Sequence, residues 1–85
     1  MWFVYLLQQT ETKEMYIGTT QDLDRRLKEH NTGSAQWTAR DSGKWVVIYF
    51  EAYRSKQDAD ERERMLKHHG SAKRKLLDRV RRSFL

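Results

Sequence analysis

Residues 15–33 carry the pattern that decides the fold, and their sequence is MYIGTTQDLDRRLKEHNTG. A short apolar run that contains Tyr16 ends at Gly18, a residue that would let the chain bend sharply. Polar residues of the kind that begin helices follow, and Thr20 is the N-cap that this order predicts. The stretch therefore indicates a strand, a turn and the start of a helix.

The second part of this stretch has the period of an amphipathic helix. Leu23, Leu27 and His30 recur at i, i+4 and i+7, which places them on one helical face and predicts a helix over residues 22–31. Arg26 borders that inward stripe, four residues before His30. A tyrosine on a strand, followed by an arginine and a histidine one helical turn apart, indicates a functional site.

The rest of the chain supplies further strands and helices around this stretch. Two continuous apolar runs, residues 2–7 and 45–50, have the length and composition of strands covered on both faces. Residues 15–18 are the return strand of a hairpin with the first run. Ser55 and Ser71 are the predicted N-caps of two further helices. The order β-β-α-β-α-α predicts an α+β (α/β) fold with a small three-stranded antiparallel sheet flanked by helices.

Length and composition limit the class of protein. The 85 residues predict a single domain, residues 1–85, with a thin core. A net charge of +5 and a pI near 9.7 favour an anionic partner, nucleic acid before acidic lipid. The absence of cysteine excludes disulfides and thiolate metal sites. The longest apolar runs have six residues, far from the ~20 of a membrane span, so we expect a cytoplasmic protein without a membrane association.

Glu63 is the residue that is hardest to explain by structure alone. Ala59, Glu63 and Leu66 share one helical face, so the carboxylate lies on or beside the face that meets the sheet. A carboxylate there costs several kcal/mol unless it pairs with a cation or binds a metal. From periodicity alone, a salt bridge to an arginine such as Arg26, or a partly exposed position at the edge of the face, is the favoured explanation.

Taken together, these motifs resemble the GIY-YIG nuclease superfamily. The paired signature is similar to two tripeptides of this chain, and an arginine, a histidine and a glutamate follow at compatible spacing: Phe3-Val4-Tyr5, Tyr16-Ile17-Gly18, Arg26, His30 and Glu63. The resemblance extends from residue 3 to about residue 78 and is strongest to the short stand-alone bacterial members. Phe3 stands where the family name has glycine, and the asparagine that many members place after the glutamate helix is absent, since the only asparagine is Asn31.

The resemblance implies a one-metal phosphodiesterase with assigned residue roles. Glu63 would ligate one divalent cation, Mg²⁺ or Mn²⁺, and Arg26 would contact the scissile phosphate. Tyr5 and Tyr16 would face the site, one of them helping to activate water, and His30 would position groups or relay protons. Considered singly, the tyrosines suit sheet packing, the histidine a helix C-terminus, and the arginine a solvated helix surface.

The C-terminal half is strongly basic. Between positions 62 and 82 there are nine Lys and Arg residues and two acidic residues. These cations form either an ordinary solvated helix surface or a surface that contacts nucleic-acid phosphates. The residues expected to bind nucleic acid are Lys67, Lys73, Arg74 and Lys75. Trp37, in the segment before the third strand, would either stack on an unpaired base or cover the core. His68 and His69 are adjacent and point to different sides of a helix, so they are not a metal pair.

Three functions remain in competition. The first is a metal-dependent endo- or exonuclease, acting on DNA in preference to RNA and recognising structure more than sequence, because so small a domain has little surface for reading bases. The second is a nucleic-acid-binding module with weak or no catalysis, and the third is an adaptor for another enzyme. We expect a monomer or a weak dimer.

Overall fold

The computed structural model describes residues 1–32 and 44–85, and its elements follow the predicted order. The strands and helices are β1 (Trp2–Gln9), β2 (Met15–Thr20), α1 (Leu23–Thr32), β3 (Trp45–Tyr53), α2 (Lys56–His68) and α3 (Gly70–Val80), with a 3₁₀ turn at Arg81–Ser83. The predicted α+β fold with a three-stranded antiparallel sheet is confirmed. Trp37 and most of the segment before β3 lie outside the described residues.

The sheet has the order β2-β1-β3, so the first strand is central. Both of its neighbours run antiparallel to it, and Tyr5 lies opposite Gly18 on β2 and opposite Phe50 on β3. Successive residues of a strand face opposite sides of the sheet. Val4 and Leu6 therefore pack against α2 and α3, while Tyr5 and its alternate neighbours pack against α1. The continuous apolar run of β1 is explained by burial on both faces.

The third strand is less covered than its sequence predicts. Helix α1 packs on Trp45 and Val47 near the start of β3. Phe50, further along, keeps 51% of its surface exposed and makes an edge-to-face contact with Phe3 at a ring-centroid distance of 5.7 Å. The expectation that both faces of this run are covered is wrong, because β3 is an edge strand that α1 crosses at one end only.

The hairpin between β1 and β2 closes without the usual glycine turn. The Gln9 side-chain oxygen accepts hydrogen bonds from the backbone nitrogens of Glu11 and Thr12, at 2.6 and 3.0 Å. Lys13 takes the left-handed conformation, with φ of 65°. A buried glutamine side chain thus does the work that Asn-Gly or Asp-Gly does in tighter hairpins.

The helix ends follow local hydrogen bonds that sequence predicts only in part. Asp22 caps α1, since its Oδ1 accepts from the Arg25 backbone nitrogen at 3.1 Å, whereas the predicted cap, Thr20, instead accepts from the Asp22 nitrogen. Ser55 caps α2 as predicted. Helix α3 begins after His69 without a side-chain cap, so the expected role of Ser71 is wrong.

Candidate active site

Tyr5 has room for its ring because its partner on β2 is a glycine. A Cβ at Gly18 would lie 2.5 Å from the Tyr5 hydroxyl oxygen, 2.7 Å from its Cζ and 3.0 Å from Cε1 of Tyr16. These distances are well inside ordinary contact of ~3.5–4.0 Å. Gly18 lies within β2 and does not bend the chain there, so the predicted sharp turn is wrong. Its function in the fold is to let two tyrosine rings lie over the strand.

Helix α1 brings two predicted residues to the Tyr5 hydroxyl. His30 Nε2 lies 3.1 Å from that oxygen, and Arg26 Nε donates to it at 3.4 Å. The ring of Tyr16 packs beside them, with centroid distances of 4.9 Å to His30 and 6.3 Å to Tyr5. The residues that sequence analysis grouped, Tyr5, Tyr16, Arg26 and His30, therefore form one cluster on the α1 face of the sheet.

Glu63 approaches the same cluster from the other layer. It lies on α2, its side chain is 24% exposed, and its Oε2 is 3.2 Å from Nζ of Lys67. That ammonium also lies 5.6 Å from the centre of the Tyr16 ring. Because α1 and α2 cover opposite faces of the sheet, the two sets of residues meet around the edge strand β2. The suggested salt bridge between Glu63 and Arg26 is not formed, and the partly exposed position is what the structure has.

Arg26 is held instead by a residue that sequence analysis missed. Its terminal nitrogen donates to Oε1 of Glu29 at 2.8 Å, three residues along α1. This carboxylate, followed by the Tyr5 hydroxyl, keeps the pKa of Arg26 above its ordinary value, so the guanidinium stays charged. The i, i+3 spacing of the two residues was the available signal. Glu29 orients the arginine with its Nε towards Tyr5.

Burial sets the protonation states of Tyr5 and His30. It raises the pKa of Tyr5 to about 12, while the hydrogen bond from Arg26 acts in the opposite direction. The negative charge of Glu63 adds a smaller increase to the pKa of Tyr5. Burial, and then the positive charge of Arg26, lowers the pKa of His30 to about 4. At neutral pH the phenol is therefore protonated and the imidazole is neutral.

Glu63 is the carboxylate of this candidate site that could hold a hard divalent cation. Within residues 1–32 and 44–85 no group of three or more His, Cys, Asp or Glu side chains is placed to hold a metal. Mg²⁺ commonly keeps several waters and takes one or two carboxylates together with phosphate oxygens. Glu63 is accessible enough to act as that carboxylate, on condition that Lys67 moves away from it.

The predicted nucleic-acid-binding residues do not all lie together. Lys67 and Lys73, with Tyr16, line a groove of about 240 Å³ along β2, next to the cluster. Lys75 lines a different groove between α2 and α3, and Arg74 is exposed on the surface of α3. Trp37 is outside the described residues, so its stacking role stays a prediction.

Comparison with known proteins fits this arrangement. The sequence profile of the GIY-YIG catalytic domain matches residues 1–76. The chain belongs to the GIY-YIG family. A UPF0213 protein of Clostridium perfringens is 34% identical over 65 residues, which cover 76% of this chain and 69% of the relative. A UPF0213 protein of Streptococcus agalactiae is 35% identical over 65 residues, covering 76% and 73%.

A solved structure agrees with the fold. The solution NMR structure of a UPF0213 protein from Bacillus halodurans matches with a TM-score of 0.55 and 31% sequence identity. The match covers 94% of this chain and 85% of that one. The GIY-YIG family is of nuclease type, and the names of these UPF0213 relatives specify no substrate. No described helix has the length and apolar character that a membrane span needs.

The departures from the GIY-YIG signature lie outside the cluster. Phe3, in the place of the glycine, contacts Phe50 on the exposed part of the sheet, and Val4 is buried against α2 and α3. Asn31 is engaged elsewhere, because its side chain bonds both the nitrogen and the oxygen of the Trp45 backbone, at 2.7 and 3.0 Å. It ties the end of α1 to the start of β3 and does not supply the late asparagine of other members.

Proposed function

We propose that this protein is a metal-dependent phosphodiesterase that cleaves nucleic acid. The observation that carries the proposal is the meeting of His30 and Arg26 at one buried hydroxyl, that of Tyr5, with the carboxylate of Glu63 arriving from the opposite layer. Packing alone does not explain an arginine, a histidine and a tyrosine that share a single oxygen atom. Phosphoryl transfer uses such a set, since it needs a fixed cation and a route for a proton.

Each side chain has a role that follows from its surroundings. Arg26 stays charged and binds oxygens of the scissile phosphate, where negative charge grows during attack. The Tyr5 hydroxyl accepts from Arg26, and His30 is assigned the neutral tautomer whose Nε2 accepts the proton of that hydroxyl. When water attacks phosphorus, its proton passes to the Tyr5 oxygen as the Tyr5 proton passes to Nε2. The bond from phosphorus to the ester oxygen of the leaving strand breaks, and that oxygen takes up a proton from solvent. Tyr16 packs against the imidazole and keeps its ring in place.

Glu63 is the proposed ligand of a divalent cation, Mg²⁺ or Mn²⁺. When bound there, such an ion would supply Lewis-acid polarisation of the phosphate and would make a nearby water easier to deprotonate. The carboxylate is released for this role when the nucleic acid draws Lys67 to a phosphate. We propose DNA before RNA as substrate, recognised by structure more than by sequence, and a single domain that acts as a monomer or weak dimer.

A panel of labelled substrates tests the proposal. Single-stranded, duplex and branched DNA and RNA are incubated with Mg²⁺, with Mn²⁺ and with EDTA. We expect metal-dependent cleavage that Glu63→Gln abolishes while nucleic-acid binding is retained. Glu61→Gln is the matched control, because Glu61 lies on the same helix with a side chain that is 70% exposed. Cleavage that persists in EDTA or in Glu63→Gln would exclude the assigned role of Glu63.

A binding module without catalysis is the second candidate, and two observations favour it. The phenol of Tyr5 has its pKa raised to about 12, and the carboxylate of Glu63 is paired with Lys67. A protonated phenol is a poor base, and a carboxylate paired with a lysine is not free to hold a metal. Salt-sensitive binding without cleavage of any substrate in the panel would establish the module and refute the nuclease.

A further inference from the structure

A second groove lies between α2 and α3, apart from the cluster around Tyr5. Its volume is about 460 Å³, roughly twice that of the groove along β2. Three apolar side chains and three cations make up most of its lining: Met65, Ala72, Leu76, Arg62, Lys75 and Arg79. Nothing in the proposed cleavage chemistry uses these residues. An apolar surface bordered by cations suits a ligand that has both carbon and anionic parts.

One of the three cations is fixed in place by the sheet. Arg62 donates from Nε and from one terminal nitrogen to the two oxygens of Glu51, at 2.9 and 3.0 Å. Tyr49 and Tyr53 donate to the same carboxylate, at 2.7 and 2.5 Å. The charge of Arg62 is therefore balanced by Glu51, and its second terminal nitrogen is left outside the pair. This network holds the guanidinium of Arg62 at one side of the groove.

The other two cations supply the net charge. Lys75 and Arg79 are four residues apart on α3, so their side chains leave the same side of the helix about 5–6 Å apart. Among the ion pairs of the described residues, none involves either one. Two unbalanced cations side by side repel each other. An anionic ligand that spans both would remove that repulsion.

We propose that the groove between α2 and α3 binds the sugar–phosphate backbone of a nucleic acid strand, at a place separate from the cleavage site. Lys75 and Arg79 contact phosphates, Arg62 donates a further hydrogen bond, and the apolar floor contacts sugar carbons. The choice of nucleic acid as occupant rests on the proposed function, whereas the binding itself needs neither metal nor cleavage.

The groove lies on a different flank of α2 from the proposed cleavage site. Adjacent residues of a helix leave it about 100° apart, so Arg62 and Glu63 point to different flanks of α2. One is bonded to β3, and the other approaches the residues gathered at β2. If a nucleic acid contacts both flanks of α2, the groove binds a segment of it other than the one that is cut. This contact would favour substrates long or branched enough to reach both places.

Charge-matched variants test the proposal by fluorescence anisotropy of labelled DNA in EDTA. Lys75→Gln/Arg79→Gln removes two groove cations, and Arg81→Gln/Arg82→Gln removes two exposed cations just after the same helix that do not line the groove. We expect the groove variant to lose at least about tenfold in affinity and its salt dependence to become shallower by roughly 2 in log–log slope. The control should lose less than about threefold. A methyl NMR titration adds the location, with shifts expected for Met65 and Ala72 but not Met1.

Several results would overturn this assignment. Equal losses in the two double variants would mean diffuse attraction to a basic surface, and an unchanged groove variant would mean no contact at all. DNA binding that produces no methyl shift in the groove would also exclude the assignment. If a poly-glutamate peptide binds the groove and DNA does not, the occupant is an acidic protein. An absence of cleavage in the substrate panel, with groove binding intact, would instead refute only the nuclease.

Discussion

Gly18→Ala is the substitution whose effect follows most directly from the coordinates. The new Cβ would lie 2.5 Å from the Tyr5 hydroxyl oxygen and 2.7 Å from Cζ, where ordinary contact is ~3.5 Å. The ring must therefore move by about 1 Å. Insertion of a methyl group into a packed site costs about 1–3 kcal/mol. Because the hydroxyl lies 3.1 Å from His30 and 3.4 Å from Arg26, the same movement disturbs both contacts.

Urea and thermal unfolding measure this cost, and the chain offers a matched control. Gly70→Ala adds the same methyl group at the start of α3, where nothing lies within 4 Å, so it should be neutral or stabilising by up to about 1 kcal/mol. For Gly18→Ala we expect a lower melting temperature, by about 4–8 °C for each kcal/mol lost. Tyr5→Phe in the Gly18→Ala background should recover part of the loss, since it removes the nearest atom. Equal or greater stability of Gly18→Ala would refute the packing described here.

Three further substitutions or titrations test other contacts. His30 should titrate by NMR near pH 4, and a measured pKa near 6.5 would contradict its burial. The imidazole of the unfolded chain takes up its proton near pH 6.5, so the contribution of His30 to the free energy of unfolding is complete above that pH. This free energy falls by up to about 3 kcal/mol as the pH drops to 4. Glu51→Gln leaves Arg62 without its anion and should cost about 1–3 kcal/mol in urea unfolding, against little for Asp60→Asn in an exposed pair. Asn31→Asp keeps the acceptor for the Trp45 nitrogen but places an oxygen against the Trp45 carbonyl, so we expect the free energy of unfolding to fall by about 1–2 kcal/mol. An unchanged urea midpoint would show that the two hydrogen bonds of Asn31 do not stabilise the fold.

The sequence predicts the elements well where one physical signal dominates. The apolar run of β1 is continuous because its two faces meet two helical layers, and the i, i+4 spacing of Leu23 and Leu27 places them inward. Where several local bonds compete, prediction fails. Thr20 and Asp22 are both good caps, and only the observed bond to Arg25 selects the second.

The sequence motif predicts the residues of the candidate site, but not the neighbouring residues that hold them in place. Tyr5, Tyr16, Arg26 and His30 do meet, as their resemblance to the GIY-YIG signature implied. Their chemical roles, and that of Glu63, stay predictions. Gly18 was assigned to a bend because a single chain does not show which ring lies across a neighbouring strand. The Glu51 network and the groove beside it are likewise contacts between distant segments, and no local period reports them.

The division of the candidate site between two layers has a consequence for incomplete molecules. Helix α1 places Arg26 and His30 beside Tyr5, whereas Glu63 lies on α2, which is docked on the other face of the sheet. A chain that has not finished folding, or has lost its second layer, therefore lacks the residue proposed to hold the metal. On the proposed function, a copy without a docked α2 cannot hold the metal, so cleavage requires both helical layers to be in place.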